Sequence, residues 1–146
     1  MQWQGSTLKS LAIPLGIIAL EFCKNIDQIH FLLSHWSKES VIINVVLDFG
    51  YIAAYSFFFI NSLKYFAQIH SAKKQCSLFL LLLSRWFWIA ALFDVIENVG
   101  MLLSVNGIES QMILSITILS AILKFTLIIL SMIAIVIALV INRVLK

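Results

Sequence analysis

The chain has 146 residues, 62% of them hydrophobic and 12% charged, with one Pro and a formal net charge of +3. Its mean hydropathy is +1.03, which excludes a water-facing exterior, and its long unbroken apolar runs call for helices rather than the alternating segments of a membrane barrel. The positive charge is not a nucleic-acid signature, because the lysines and arginines stand at the ends of apolar segments, where they fix orientation in a bilayer.

Residues 1–10 are a short polar lead with Lys9. Residues 11–20 could pass for a signal-peptide core, but no small-x-small cleavage site follows, and Phe22 before Cys23 spoils a lipoprotein motif. They read instead as the start of a first membrane helix. Glu21, Lys24, Asn25 and Gln28 then recur at i, i+3, i+4 and i+7. That spacing predicts one continuous helix over about 8–33, roughly 39 Å long, with a polar face turned toward the bundle. The alternative is a break near Cys23 followed by an interfacial helix.

Ser37 and Ser40 are N-cap candidates for a second helix over about 41–66. Its polar residues Asn44, Asp48, Tyr51, Tyr55 and Ser62 fall in a narrow wedge, which should meet the rest of the bundle. A loop with Lys73 and Lys74 leads to a third helix over about 78–104. Arg85, Trp86 and Trp88 read there as an interfacial cation and belt aromatics. Deeper in, Asp94, Glu97, Asn98 and Met101 share one face. Asn106-Gly107 is a strong break and predicts an antiparallel hairpin with a fourth helix over about 111–142. On that helix Thr117, Ser120, Lys124 and Ser131 share a face, and Arg143 and Lys146 follow as anchors. The expected fold is therefore an all-α membrane protein, one domain of four transmembrane helices in an antiparallel up-down bundle.

Four crossings would put Lys9, Lys64, Lys73, Lys74, Arg143 and Lys146 on one side. Lys24 and Lys38 would lie on the other, offset by Glu21, Asp27, Glu39 and Glu109. The basic side is expected to be cytoplasmic, with both termini there. Cys23 and Cys76 would fall on opposite faces of the membrane, beyond the reach of a disulfide, and read as free thiols.

An ionised carboxylate at mid-bilayer costs roughly 2.5–3.5 kcal/mol even on lenient scales, so Asp94 and Glu97 must face protein or water. Placed by depth, Glu21, Lys24, Asp48, Asp94, Glu97 and Lys124 all reach one level, displaced toward the non-cytoplasmic side. Four helices converging this way predict a polar chamber, open outward and sealed inward by Ile, Leu and Phe. Four carboxylates there face Lys24 and Lys124, a crowding that disfavours full ionisation and suits a cation, an amine headgroup or an exchangeable proton. Lys124 should pair with Asp94 or Asp48, because a lone ammonium at that depth would lose its proton. The plainer alternative is that these groups only hold helices together.

Other chemistries find little support. Ser104 and Ser120 have no intramembrane His to act as base. His30, His35 and His70 sit at segment ends or in loops and read as surface histidines, so neither a haem nor a His-ligated metal is expected. The dispersed glycines form no phosphate loop. A hard cation held by the oxygens of Asp48, Asp94 and Glu97 is conceivable, but no cofactor is expected.

Asp48 followed by Tyr55, the Asp94-Val-Ile-Glu97-Asn98 block and a lone Lys124 in the last helix form a recognisable set. They resemble a group of small bacterial four-helix integral membrane proteins with a D-x(6)-Y helix, a D-x-x-E-N helix and a final-helix lysine. The resemblance covers about residues 45–131, with D-x-x-E-N its most specific element; Glu21 and Lys24 lie outside it. It implies a bacterial inner-membrane protein with a shared polar site and no particular activity.

The leading expectation is a site that binds or transports a cation, proton or small amphiphile. Asp48, Asp94 and Glu97 would be acceptors, Lys124 the internal counter-ion, and Tyr51, Tyr55 and Asn98 the positioning groups. So small a chain would need a homo-oligomer or a larger membrane complex for a closed pathway. One alternative is an intramembrane enzyme acting on a lipid or isoprenoid, with a carboxyl of the Asp94/Glu97 pair as general acid. The other is a scaffold or accessory subunit.

Overall fold

The structure, a computed structural model, describes Leu8 and residues 13–144. Among these residues there are five helices: α1 (Ile18–Glu21), α2 (Ile26–His35), α3 (Lys38–Ile69), α4 (Lys74–Val105) and α5 (Gln111–Val144). The last three are long and apolar enough to cross a membrane. At 32 residues, α3 and α4 are each about 48 Å long, well beyond the ~20 residues that a bilayer core requires.

These three helices run up, down and up, with α4 in the middle packing along both neighbours and α3 meeting α5 less extensively. At one end Leu63 and Phe66 of α3, Leu80 and Leu83 of α4 and Ala134 and Ala138 of α5 form a core. The seven acids of the chain all lie away from this end, whose cations are Lys64, Lys73, Lys74, Arg85 and Arg143; it is called here the basic end. At the opposite, acidic end, Val41, Val45, Met101, Val105 and Leu114 pack with Leu8, Leu20, Ile29 and Trp36 of the N-terminal segment. Large apolar side chains such as Phe57 and Trp88, 74% and 65% exposed, cover the outside of the bundle, as a lipid-facing surface requires.

The first segment departs from the expected continuous helix. It turns at Gly16, whose φ is +58°, forms only the four residues of α1, and breaks at Cys23 and Lys24. Asn25 is the N-cap of α2, its Oδ1 accepting from Gln28 N at 2.9 Å, while Gln28 Oε1 accepts from Lys24 N at 2.8 Å. This is a variant of the capping box, whose three-residue spacing overlaps that of a helical polar stripe. The residues that suggested a long helix are thus the ones that start a new, short one. The described residues of this segment supply no crossing helix. Leu8 packs beside Leu114 at the acidic end and Ala138 packs at the basic end, so the described chain begins and finishes at opposite ends of the bundle.

Local chemistry explains the other boundaries. Ser37 caps α3, accepting from Ser40 N at 3.2 Å. His70 is buried rather than on the surface, because its Nδ1 turns back onto the Phe66 carbonyl at 2.9 Å and closes the end of α3. After α4, Gly107 takes φ +83°, while Ile108 N donates to Leu103 O and Gly107 N to Ser104 O. This Schellman termination favours glycine at that position. The predicted hairpin turn is therefore present, and it sets α5 antiparallel to α4.

Candidate functional site

Three helical faces converge in the half of the bundle nearer the acidic end. On α4 Asp94, Glu97, Asn98 and Met101 are all buried, and on α5 so are Thr117, Ser120, Lys124 and Ser131. Close approach is possible here because Gly100 abuts Thr117, so that a Cβ at Gly100 would overlap the threonine hydroxyl. Small residues at a crossing commonly permit such contact between membrane helices.

Lys124 is the hub. Its Nζ donates to Asp94 Oδ1 and to Glu97 Oε1, both at 2.8 Å, with all three side chains almost wholly buried. The Tyr55 hydroxyl donates to Asp94 Oδ2. Asn98 Nδ2 donates to Asp48 Oδ2 at 2.9 Å, tying α4 to α3. Phe87, seven residues before Asp94 and fully buried, meets Tyr55 edge-on and stacks on Phe59. This aromatic floor closes the cluster toward the basic end.

A fourth carboxyl enters from outside the spanning helices. Glu21 at the end of α1 is 7% exposed, and α1 touches both α4 and α5. Its carboxyl neighbours those of Glu97 and Asp48 and the Lys124 ammonium. Oε2 of Glu21 and Oε2 of Glu97 are both buried and receive no donor, and neither does Asn98 Oδ1. Four carboxyls, those of Glu21, Asp48, Asp94 and Glu97, thus surround one ammonium.

Seven of the nine residues singled out from sequence come together here: Glu21, Asp48, Tyr55, Asp94, Glu97, Asn98 and Lys124. Two do not. Tyr51 is 42% exposed on the outside of α3, because α3 buries a narrower arc than its polar wedge covers. Lys24 points its side chain to the exterior and offers the cluster nothing; its carbonyl instead accepts from Gln111 Nε2 at 2.9 Å.

No family model, curated protein or solved structure matches this chain.

The cluster is packed rather than an open chamber. Glu97 and Asn98 are fully buried, and the folded-back N-terminal segment lies over the end where an opening was expected. Among the described residues no group of three or more His, Cys, Asp or Glu side chains is arranged to hold a metal ion. The Lys124 ammonium occupies the position between Asp94 and Glu97 that a hard cation would take. The two cysteines are free, Cys23 buried at the acidic end and Cys76 beside the basic-end core. Burial pushes the Cys23 thiol up to about 11, which leaves it a poor nucleophile.

Sequence reasoning overlooked Phe87. Its signal was available, since a residue seven before Asp94 shares its face, but the flanking Trp86 and Trp88 drew the whole run toward a belt reading.

Proposed function

We propose that this chain is an integral membrane protein whose buried carboxyl–lysine cluster takes up and releases a proton, the Glu21–Glu97 pair being the exchanging group. One observation carries the reading: two carboxyls adjoin, each with a buried Oε2 that lacks a donor. Lys124 is already engaged by Asp94 and Glu97. A single proton from water, bound to one oxygen of the pair and shared with the other, supplies the missing donor. It also lowers the excess of acidic over basic charge from three to two. Two ionised carboxylates in contact in a low-dielectric interior are costly by comparison. The burial of Glu97, Asn98, Asp94 and Lys124 favours a proton over an amphiphile as the exchanging species.

In this reading three helices cross the bilayer and the basic end is cytoplasmic, since Lys64, Lys73, Lys74, Arg85 and Arg143 gather there without an acid among the described residues. The cluster then lies in the non-cytoplasmic half. The resemblance to small bacterial membrane proteins, resting on Asp48, Tyr55, Asp94, Glu97, Asn98 and Lys124, supports a bacterial inner membrane as its location. Coupling of the proton to a transported solute belongs to a homo-oligomer or a larger complex.

The test is proton uptake by purified protein in nanodiscs and weak buffer, followed with a pH dye and by the infrared band of protonated carboxyls. Wild type should take up a proton that Glu21→Gln and Glu97→Gln each lose. Equal uptake by wild type and both variants would sink the proposal and leave the cluster as a fixed interhelical ion pair. That is the scaffold or subunit reading, which the full engagement of Lys124 favours.

A further inference from the structure

A second site lies on the opposite, lipid-facing side of the α3–α4 pair. A cavity of about 450 Å³ runs between these helices, its apolar walls formed by Phe49, Ile52, Phe57 and Ile60 of α3 and Trp88 and Val95 of α4. From Phe49 to Lys64 the groove follows α3 for about 22 Å at 1.5 Å per residue. That is about three-quarters of the ~30 Å hydrocarbon core, deeper than the ~15 Å of one leaflet.

Its ends differ in chemistry. Toward the acidic end the walls are Phe49, Ile52 and Val95. Toward the basic end the lining finishes in Asn61 and Lys64, and Lys64 has no ion-pair partner among the described residues. The hairpin just beyond adds Lys73 and Lys74, and the sequence from 49 to 93 contains no Asp or Glu. Midway along, Ser56 lines the groove at 4% exposure, yet its Oγ has no hydrogen-bond partner. Three of the four other buried serines, Ser84, Ser104 and Ser131, each donate back to a carbonyl of their own helix. A buried hydroxyl left without a partner costs on the order of 1–3 kcal/mol.

We propose that this groove binds one anionic phospholipid of the basic-end leaflet, an acyl chain lying along α3 and α4 and the phosphate against Lys64. The charge of the mouth selects the headgroup, and the length and apolar walls of the groove select an acyl chain. Basic pockets between membrane helices on the cytoplasmic side commonly hold anionic headgroups in this way. The site is separate from the carboxyl–lysine cluster and does not depend on how that cluster is used.

The experiment is thermal unfolding of delipidated full-length protein in a neutral detergent. The additives are phosphatidylglycerol, phosphatidylcholine with identical acyl chains, or glycerol phosphate alone. Phosphatidylglycerol should raise the midpoint by several degrees more than phosphatidylcholine, and glycerol phosphate should leave it unchanged. Lys64→Gln should abolish the difference between the two lipids. Ala53→Phe, a groove-filling change at an exposed position, should abolish the stabilisation by both. Equal shifts with the two lipids in wild type would overturn the proposal, as would a preference that persists in both variants. An equal shift with glycerol phosphate would reduce the site to a headgroup contact and overturn the acyl-chain groove.

Discussion

Lys124 holds two carboxylates at once, so the effect of losing it depends on what is left behind. Lys124→Met fits the same space but strands Asp94 and Glu97, each 3% exposed or less. Breaking a buried pair by removing one partner typically costs about 3–5 kcal/mol, whereas replacing the whole set by apolar or neutral groups is often close to neutral. Lys124→Met should therefore lower stability in a denaturing-detergent titration by that amount. Combining it with Asp94→Asn and Glu97→Gln should recover most of the loss. A triple variant no more stable than the single one would mean that geometry, not stranded charge, sets the cost.

At the scale of the helix, the close approach of α4 and α5 hangs on a residue without a side chain. Gly100→Ala would drive a methyl into the Thr117 hydroxyl, an overpacking change of about 1–3 kcal/mol. Thr117→Ala in the same chain should restore stability, which the same titration measures. The faces that form the cluster were legible in the sequence where a helix buries a broad arc. Asp94, Glu97, Asn98 and Met101 on α4 were read together and are buried together, and the Thr117-to-Ser131 face of α5 likewise. On α3 the reading succeeded for Asp48 and Tyr55 and failed for Tyr51, since periodicity gives a wedge but not how much of it a neighbour covers. The first segment was the least legible. Glu21, Lys24, Asn25 and Gln28 have a spacing that fits a helical stripe and a capping turn equally well, and only the backbone decides between them. That the cluster is covered was not legible either, because it depends on how Leu20, Ile29 and Trp36 pack against the acidic end.

For the molecule as a whole, charge and topology make a linked prediction. If α3 crosses the bilayer and the basic end is cytoplasmic, as proposed, the α2–α3 and α3–α4 junctions face opposite compartments. In a background with Cys23 and Cys76 replaced by Ala, Lys38→Cys should react with a membrane-impermeant maleimide on intact cells. Ser71→Cys should react only after permeabilisation. The reverse pattern would invert the protein in its membrane, and labelling of both positions from one side would remove α3 as a crossing.

Glu21 is the one acid of the cluster not carried by a long helix. It hangs at the end of a four-residue helix, with a turn before it and a non-helical link after it. A stopper mounted on its own tether can be lifted while the three rods beneath stay locked through Lys124, and short, locally held segments are the kind that open at low cost. If the cluster exchanges a proton as proposed, admission of water to the inner carboxyls would be governed by the swing of a few residues, with no rocking of the three-helix frame.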